Sequence, residues 1–104
     1  MLLCTTWKAR PLSPEQTNRM MDTWGKIEAD TAGRPGLARL CWYLYADGSG
    51  GLTVSEATDE AVASAFGLET ALALGEFIEI DTRVVYDLDS AMPAITAAVA
   101  RMNG

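Results

Sequence analysis

Tyr43-Leu44-Tyr45-Ala46-Asp47-Gly48-Ser49-Gly50-Gly51-Leu52-Thr53-Val54 sets two β-prone runs on either side of a glycine-rich Asp-Gly turn, the sequence signature of a β-hairpin. Helical periodicity lies both upstream and downstream of it. The chain therefore reads strand, helix, hairpin, helix, strand, helix, the order of a split β-α-β domain of the α+β class: a four-stranded antiparallel sheet with helices on one face. Residues 1–104 form one domain, because no linker, repeat or low-complexity run interrupts them.

Upstream of the hairpin, Leu2 to Trp7 is short, apolar and β-prone, and Pro11 and Pro14 close it off as the first strand. Ser13 caps the helix that follows, with Pro14 at its first position and Gln16 placed to complete a capping box. Met20, Met21, Trp24, Ile27 and Thr31 recur at three- and four-residue intervals, one apolar stripe that packs on the sheet. Gly33, Pro35 and Gly36 end it. Strict alternation in the second strand, Leu37 to Tyr45, puts Leu40, Trp42 and Leu44 on one face and Cys41, Tyr43 and Tyr45 on the other.

Downstream, Leu52 to Glu56 pairs back, with Thr53 and Ser55 on its less apolar side. Thr58 or Asp59 caps the second helix, which Gly75 terminates and which Gly67 is expected to kink or break. Glu76 to Leu88 forms the last strand, with Ile78, Ile80, Thr82, Val84 and Tyr86 on its core face. Asp89 is expected to cap the final helix, with Pro93 in its first turn and Met92, Ile95, Val99 and Met102 along one edge.

Nearly half of the residues are apolar, enough for one core. A net charge of −6 with eight scattered basic residues argues against nucleic acid and against anionic membrane surfaces. Met1-Leu2-Leu3-Cys4 is too short for a signal-peptide core or a membrane span, so a cytoplasmic location is expected. Cys4 and Cys41 lack C-x-x-C spacing and read as buried free thiols. The chain has no histidine, which removes the commonest general base and transition-metal ligand. The Asp47–Gly51 loop has no lysine and leads into a strand, so it is no phosphate loop. Glu56, Asp59 and Glu60 lack a cation-loop pattern, and no metal or cofactor is expected.

Helices on one face leave the other face bare, and the alternation assigns it Tyr43, Tyr45, Thr53, Ser55, Phe77 and Val85 among charges. The economical cover is a second copy packed face to face, a homodimer. A monomer with a partly wet sheet is the alternative.

The Leu3-Cys4-Thr5-Thr6-Trp7 strand leading to Pro11-Leu12-Ser13-Pro14, the Tyr45–Gly51 hairpin and the Glu56-Ala57-Thr58-Asp59 strand exit resemble a family of small bacterial domains. Those domains belong to the dimeric α+β barrel superfamily, ferredoxin-like βαββαβ folds of the antibiotic-biosynthesis-monooxygenase type. The resemblance spans nearly the whole chain, but it rests on turn and cap signals that report fold. It implies a choice of activities: cofactor-independent monooxygenases of phenolic substrates, haem-degrading enzymes, lactone isomerases, cyclases and non-catalytic binders. The absence of histidine departs from the haem branch. The oxygenases rely on an asparagine, and only Asn18 and Asn103 are present.

Glu79, Asp81 and Arg83 share one face of the last strand about 7 Å apart. Enclosed in a barrel they could serve as general acid, base and charge stabiliser; otherwise they are a solvated edge or an interfacial ion pair. Trp7, Trp42, Tyr43 and Tyr45 could wall a planar apolar or aromatic ligand, with Ser55 as a polar contact, or be core and interface packing. The expected function is a small-molecule-binding dimeric barrel, with cofactor-independent isomerase, cyclase or monooxygenase chemistry on an apolar or aromatic metabolite as its enzymatic form. The alternative is a non-enzymatic dimerisation module.

Overall fold

A computed structural model describes residues 1–104 as β1 (Leu2–Ala9), α1 (Pro14–Ala32), β2 (Leu37–Leu44), β3 (Gly50–Ala57), α2 (Glu60–Leu74), β4 (Ile78–Val85) and α3 (Leu88–Asn103). The sheet order is β2-β3-β1-β4, antiparallel throughout. The ferredoxin-like α+β class read from the sequence is the observed one. Ser13 accepts from the Gln16 amide at 3.1 Å while the Gln16 side chain accepts from the Ser13 amide at 2.9 Å, closing the expected capping box. Asp59 caps α2 through the Val62 amide at 2.9 Å.

The pairing register fixes which side chains face the helices. Leu3 opposes Ser55, Thr5 opposes Thr53 and Trp7 opposes Gly51. Across the other edge of β1, Leu3, Thr5 and Trp7 oppose Val84, Thr82 and Ile80. Leu3 is buried, and directly paired residues share a face. Thr53 and Ser55 therefore face the helices, and Leu52 and Val54 take the open side. Phe77 is also buried, packed with Leu74 and Ile78. Three residues expected on the bare face, Thr53, Ser55 and Phe77, thus lie in the interior. The phase of β3 follows its pairing with β1, and this outweighs the polarity of its own hydroxyls.

In β2 the register shifts between Arg39 and Cys41, a β-bulge with Leu40 as the extra residue. Arg39 pairs with Ser55 and Trp42 with Thr53, so Arg39 and Trp42 share the helix side although they are three positions apart. Strict alternation, which grouped Leu40 with Trp42, fails at this one residue. The bulge leaves Cys41, like Cys4, opposite Val54 on the open face. Both thiols are free and half-buried, so the expectation of fully buried thiols is corrected. They lie two strands apart, beyond disulfide reach.

Other boundaries moved for local reasons. α2 runs unbroken through Gly67, which sits over Thr82 at a distance where a Cβ would make an ordinary 3.7 Å contact with the Thr82 methyl. β4 is shorter than the alternation suggested, starting only after the Leu74–Phe77 turn. α3 starts at Leu88 with Asp87 as its N-cap, two residues before Asp89, so Pro93 falls inside the helix.

The hairpin closes through Gly48 N–H to the Tyr45 carbonyl at 2.9 Å, with Gly48 at φ +75°, a conformation that suits glycine. The Asp47 carboxylate accepts from the Ser49 amide at 2.9 Å. The Ser49 side chain and amide hold the Asp47 carboxyl below its usual value of 3.8. A depressed native pKa stabilises the fold above the unfolded value and loses that contribution as pH falls through the native one. Urea denaturation of the native chain and Asp47→Ala across a pH series should show a stability gap at neutral pH that closes in acid. At Gly51 a Cβ would lie 2.3 Å from the Tyr43 carbonyl oxygen and 2.5 Å from the Trp7 ring. Gly51→Ala should cost about 2 kcal/mol or more by urea denaturation, because backbone and ring must both shift.

Candidate functional site

The interior divides into two apolar clusters. Leu3, Ala57 and Ala63 pack with Leu37, Val62 and Phe66 at one end. Leu74, Phe77 and Ile78 pack with Trp7, Leu12, Met20, Ile27 and Ile80 at the other. Between them the sheet presents hydroxyls from adjacent strands: Thr5, Thr53 and Ser55, with Thr70 of α2 above. Thr5, Ser55 and Thr70 are buried, and Thr5 shares a 3.0 Å hydrogen bond with Thr82. No buried side-chain polar atom lacks a partner. A gap of about 50 Å³ remains beside this row, room for one or two waters.

All three tryptophans converge on the mouth of that gap. Trp24 stacks on Trp42 with ring centroids 5.5 Å apart and planes 22° apart, and Trp7 meets Trp24 edge-on at 5.8 Å and 85°. Trp24 and Glu28 stand one helical turn apart on α1, the i, i+4 relation that puts both over the sheet. Glu28 pairs with Arg39, and the Arg39 guanidinium lies 4.4 Å over the Trp42 ring. Their side chains are 35% and 29% exposed, so the pair sits at the boundary between gap and solvent. Outside the tryptophans, Ala9, Leu12, Met20, Leu44, Gly48 and Phe77 help line an apolar cleft of about 410 Å³, a volume in the range of small-molecule sites.

The residues singled out in the sequence fall on both sides of the sheet. Trp7, Trp42 and Ser55 face the helices and line the gap. Tyr43 opposes Leu52 on the open face. Tyr45, Glu79 and Asp81 meet there in a separate shallow cleft of about 430 Å³, with Lys8 and Ser49. Arg83 donates to Asp81 at 2.8 Å, and all three members of the β4 charge cluster are solvent-exposed in the single chain. Trp7 also borders this cleft, but Trp24 and Trp42 do not, so the structure does not bring Glu79, Asp81 and Arg83 together with the stacked tryptophan pair. Sequence reasoning missed Glu28 and Arg39. Glu28 was legible as a member of the α1 stripe beside Trp24 and Ile27, but Arg39 was hidden by the bulge. No group of three or more Cys, Asp or Glu side chains gathers to hold a metal, and no helix is long and apolar enough to cross a membrane.

The fold is shared with proteins of the antibiotic-biosynthesis-monooxygenase type, ferredoxin-like α+β barrels. A Nitrosomonas europaea protein provisionally described as an antibiotic biosynthesis monooxygenase superposes with TM-score 0.58 at 11% identity, covering 85% of this chain and 99% of that one. SnoaB, a cofactor-independent oxygenase from Streptomyces nogalater, in a mutant form, gives TM-score 0.58 at 14% identity over 83% and 91% of the two chains. A conserved protein from Methanosarcina mazei gives 0.53 at 17% identity over 83% and 95%. No protein-family model and no curated protein matches the chain. At these identities the likeness is one of fold.

Two stacked indoles couple electronically. The resulting exciton couplet in circular dichroism should vanish in Trp24→Leu and persist in Tyr43→Leu, since Tyr43 lies on the opposite face of the sheet from the pair.

Proposed function

We propose that the chain binds a small, flat, largely apolar molecule between its sheet and helices, with the three tryptophans as walls. The convergence of all three on one apolar cleft, backed by a row of buried hydroxyls, carries this reading. The cleft takes the ring system, and a polar end displaces water beside Thr5, Thr53 and Ser55. Glu28 is placed to accept a proton from a ligand O–H or acidified C–H, and Arg39 to hold the resulting anion. A base and an anion holder suffice to generate a delocalised phenolate or carbanion, the entry to isomerisation, cyclisation or oxidation without a cofactor. SnoaB, described as a cofactor-independent oxygenase, is a precedent for such chemistry on this fold.

The chain would work as a homodimer. Its open face exposes Tyr43 at 63%, beside half-buried Leu52, Val54, Cys4 and Cys41, an apolar patch that a second sheet would cover. Such pairing would also enclose Tyr45, Glu79, Asp81 and Arg83, so the β4 charges would then form part of an interface or of a second cleft. The alternative of a non-enzymatic dimerisation module is favoured by one observation: the inner gap holds only about 50 Å³.

Titration with a planar naphthol, read by quenching of tryptophan fluorescence, tests the reading. Trp24→Leu and Arg39→Met should each weaken binding about tenfold, while Met21→Ser, outside the cleft, should leave it unchanged. Absence of quenching by the native chain supports the dimerisation module. Weakening by Asp81→Asn would move the ligand to the open face.

A further inference from the structure

We infer that α3 is an exchange arm, which in the assembled protein lies in the groove between α2 and β4 of a second copy. The observation is a mismatch between the chain's shape and its size. Its Cα radius of gyration is 16.8 Å and its extents are 60 × 32 × 21 Å, whereas a compact chain of this length has a radius of gyration of about 13 Å. The excess is α3, which makes no extensive contact with another element and has no buried residue. The extended backbone at Asp87 (φ −59°, ψ 133°) sends it outward.

This helix carries a surface made for packing. Leu88, Met92, Ile95, Val99 and Met102 follow one another at intervals of four, three, four and three residues, a single seam along the helix. Each is between 42% and 83% exposed. An isolated 16-residue helix with such a seam is marginal in water and needs a partner surface.

The matching surface is on the same molecule. Helix α2 is mostly apolar, its polar residues being Glu60, Ser64, Glu69 and Thr70, and it leaves Leu68 and Leu72 64% and 78% exposed, more apolar surface than a helix with one solvated face presents. Beside it a groove of about 680 Å³ runs between α2 and β4, lined mainly by apolar residues such as Leu3, Ala63 and Val84, with Glu60, Asp81 and Thr82 also on its walls. Helix α2 has 15 residues and α3 has 16, so their lengths match. Two copies related by a two-fold axis would each give an arm and receive one. A stable interface buries about 1,600 Å² in total, which two arms and two grooves reach if each surface contributes about 400 Å². Pairing of two α3 seams with each other would leave α2 uncovered and would rest on barely two heptads. The groove is therefore the better occupant site. The inference refines the homodimer proposed above by naming a contact that does not use the open sheet face.

The test uses the midpoints of the two helices, which approach each other whether the helices run parallel or antiparallel. In full-length chains carrying Cys4→Ser and Cys41→Ser, one variant bears Leu68→Cys, another Ile95→Cys and a third both. After unfolding, mixing, refolding and mild oxidation, a covalent dimer is expected in the mixture of the two single variants and in neither alone. A cross-link in Ile95→Cys alone would show α3 pairing with α3, an intrachain cross-link in the double variant would show α3 folded onto its own groove, and no cross-link would show a free arm; each overturns the inference. A second measurement covers misfolding of the cysteine-free chain. Ile95→Glu in the native background should raise the dimer dissociation constant at least tenfold by sedimentation, and an unchanged constant overturns the inference. Tyr43→Glu probes the sheet face alone, so failure of one contact is distinguishable from failure of the other.

Discussion

The structure turns on a row of hydroxyls laid across the middle of its core. Thr5, Thr53, Ser55 and Thr70 sit where a small domain would ordinarily place valine or leucine, and they separate the Leu3–Ala57–Ala63 cluster from the Leu74–Phe77–Ile78 cluster. A buried hydroxyl costs about 1–3 kcal/mol when unpaired. Thr5 offsets this cost through its bond to Thr82, and no fully buried side-chain polar atom is left without a partner. Small hydroxyl side chains do not interdigitate as branched aliphatic chains do, so a gap persists beside them. The large rings of Trp7, Trp24 and Trp42 then close the mouth of this gap.

Two backbone devices hold that lid in place. Gly51 has no side chain opposite Trp7, and the indole lies over it, so a glycine that would weaken an ordinary strand becomes the floor for a ring. The Leu40 bulge rotates the end of β2 by one position and brings Arg39 to the same side as Trp42. Without the bulge the guanidinium would point away from Glu28 and the cation–ring contact could not form. The chemistry of the mouth therefore depends on one inserted residue in an edge strand.

These devices explain how far the sequence could be read. Hairpin, capping box, helix order and fold class follow from local signals, the Asp47-Gly48 turn and the Ser13–Gln16 cap, that act within a few residues. Trp7, Trp42 and Ser55 could be singled out by residue type alone. Their side of the sheet could not, because phase is set by pairing with a distant strand: Ser55 points inward since Leu3 does. Assigning the open face by polarity placed Thr53 and Ser55 outside, and a two-residue period carried across Leu40 kept Arg39 out of view. Tyr45, Glu79 and Asp81 did prove to be neighbours, as alternation implied, but in a cleft that Trp24 and Trp42 do not reach.

Only eleven of the 104 residues are buried in the single chain, a thin core for a domain in which a compact fold would bury well over half of the chain's surface. The shortfall is concentrated in three places: the open sheet face around Tyr43, the outer face of α2 around Leu68 and Leu72, and the seam of α3. All three are apolar, and no loop or helix of the same chain reaches them. A polar row in the core makes the deficit larger, because it occupies volume that aliphatic packing would use. Assembly through the sheet face and the arm would place the missing apolar contacts at the periphery and leave the centre free to stay polar and partly open. On this reading a protomer can keep a chemically useful gap in its middle because its stability is drawn from its edges.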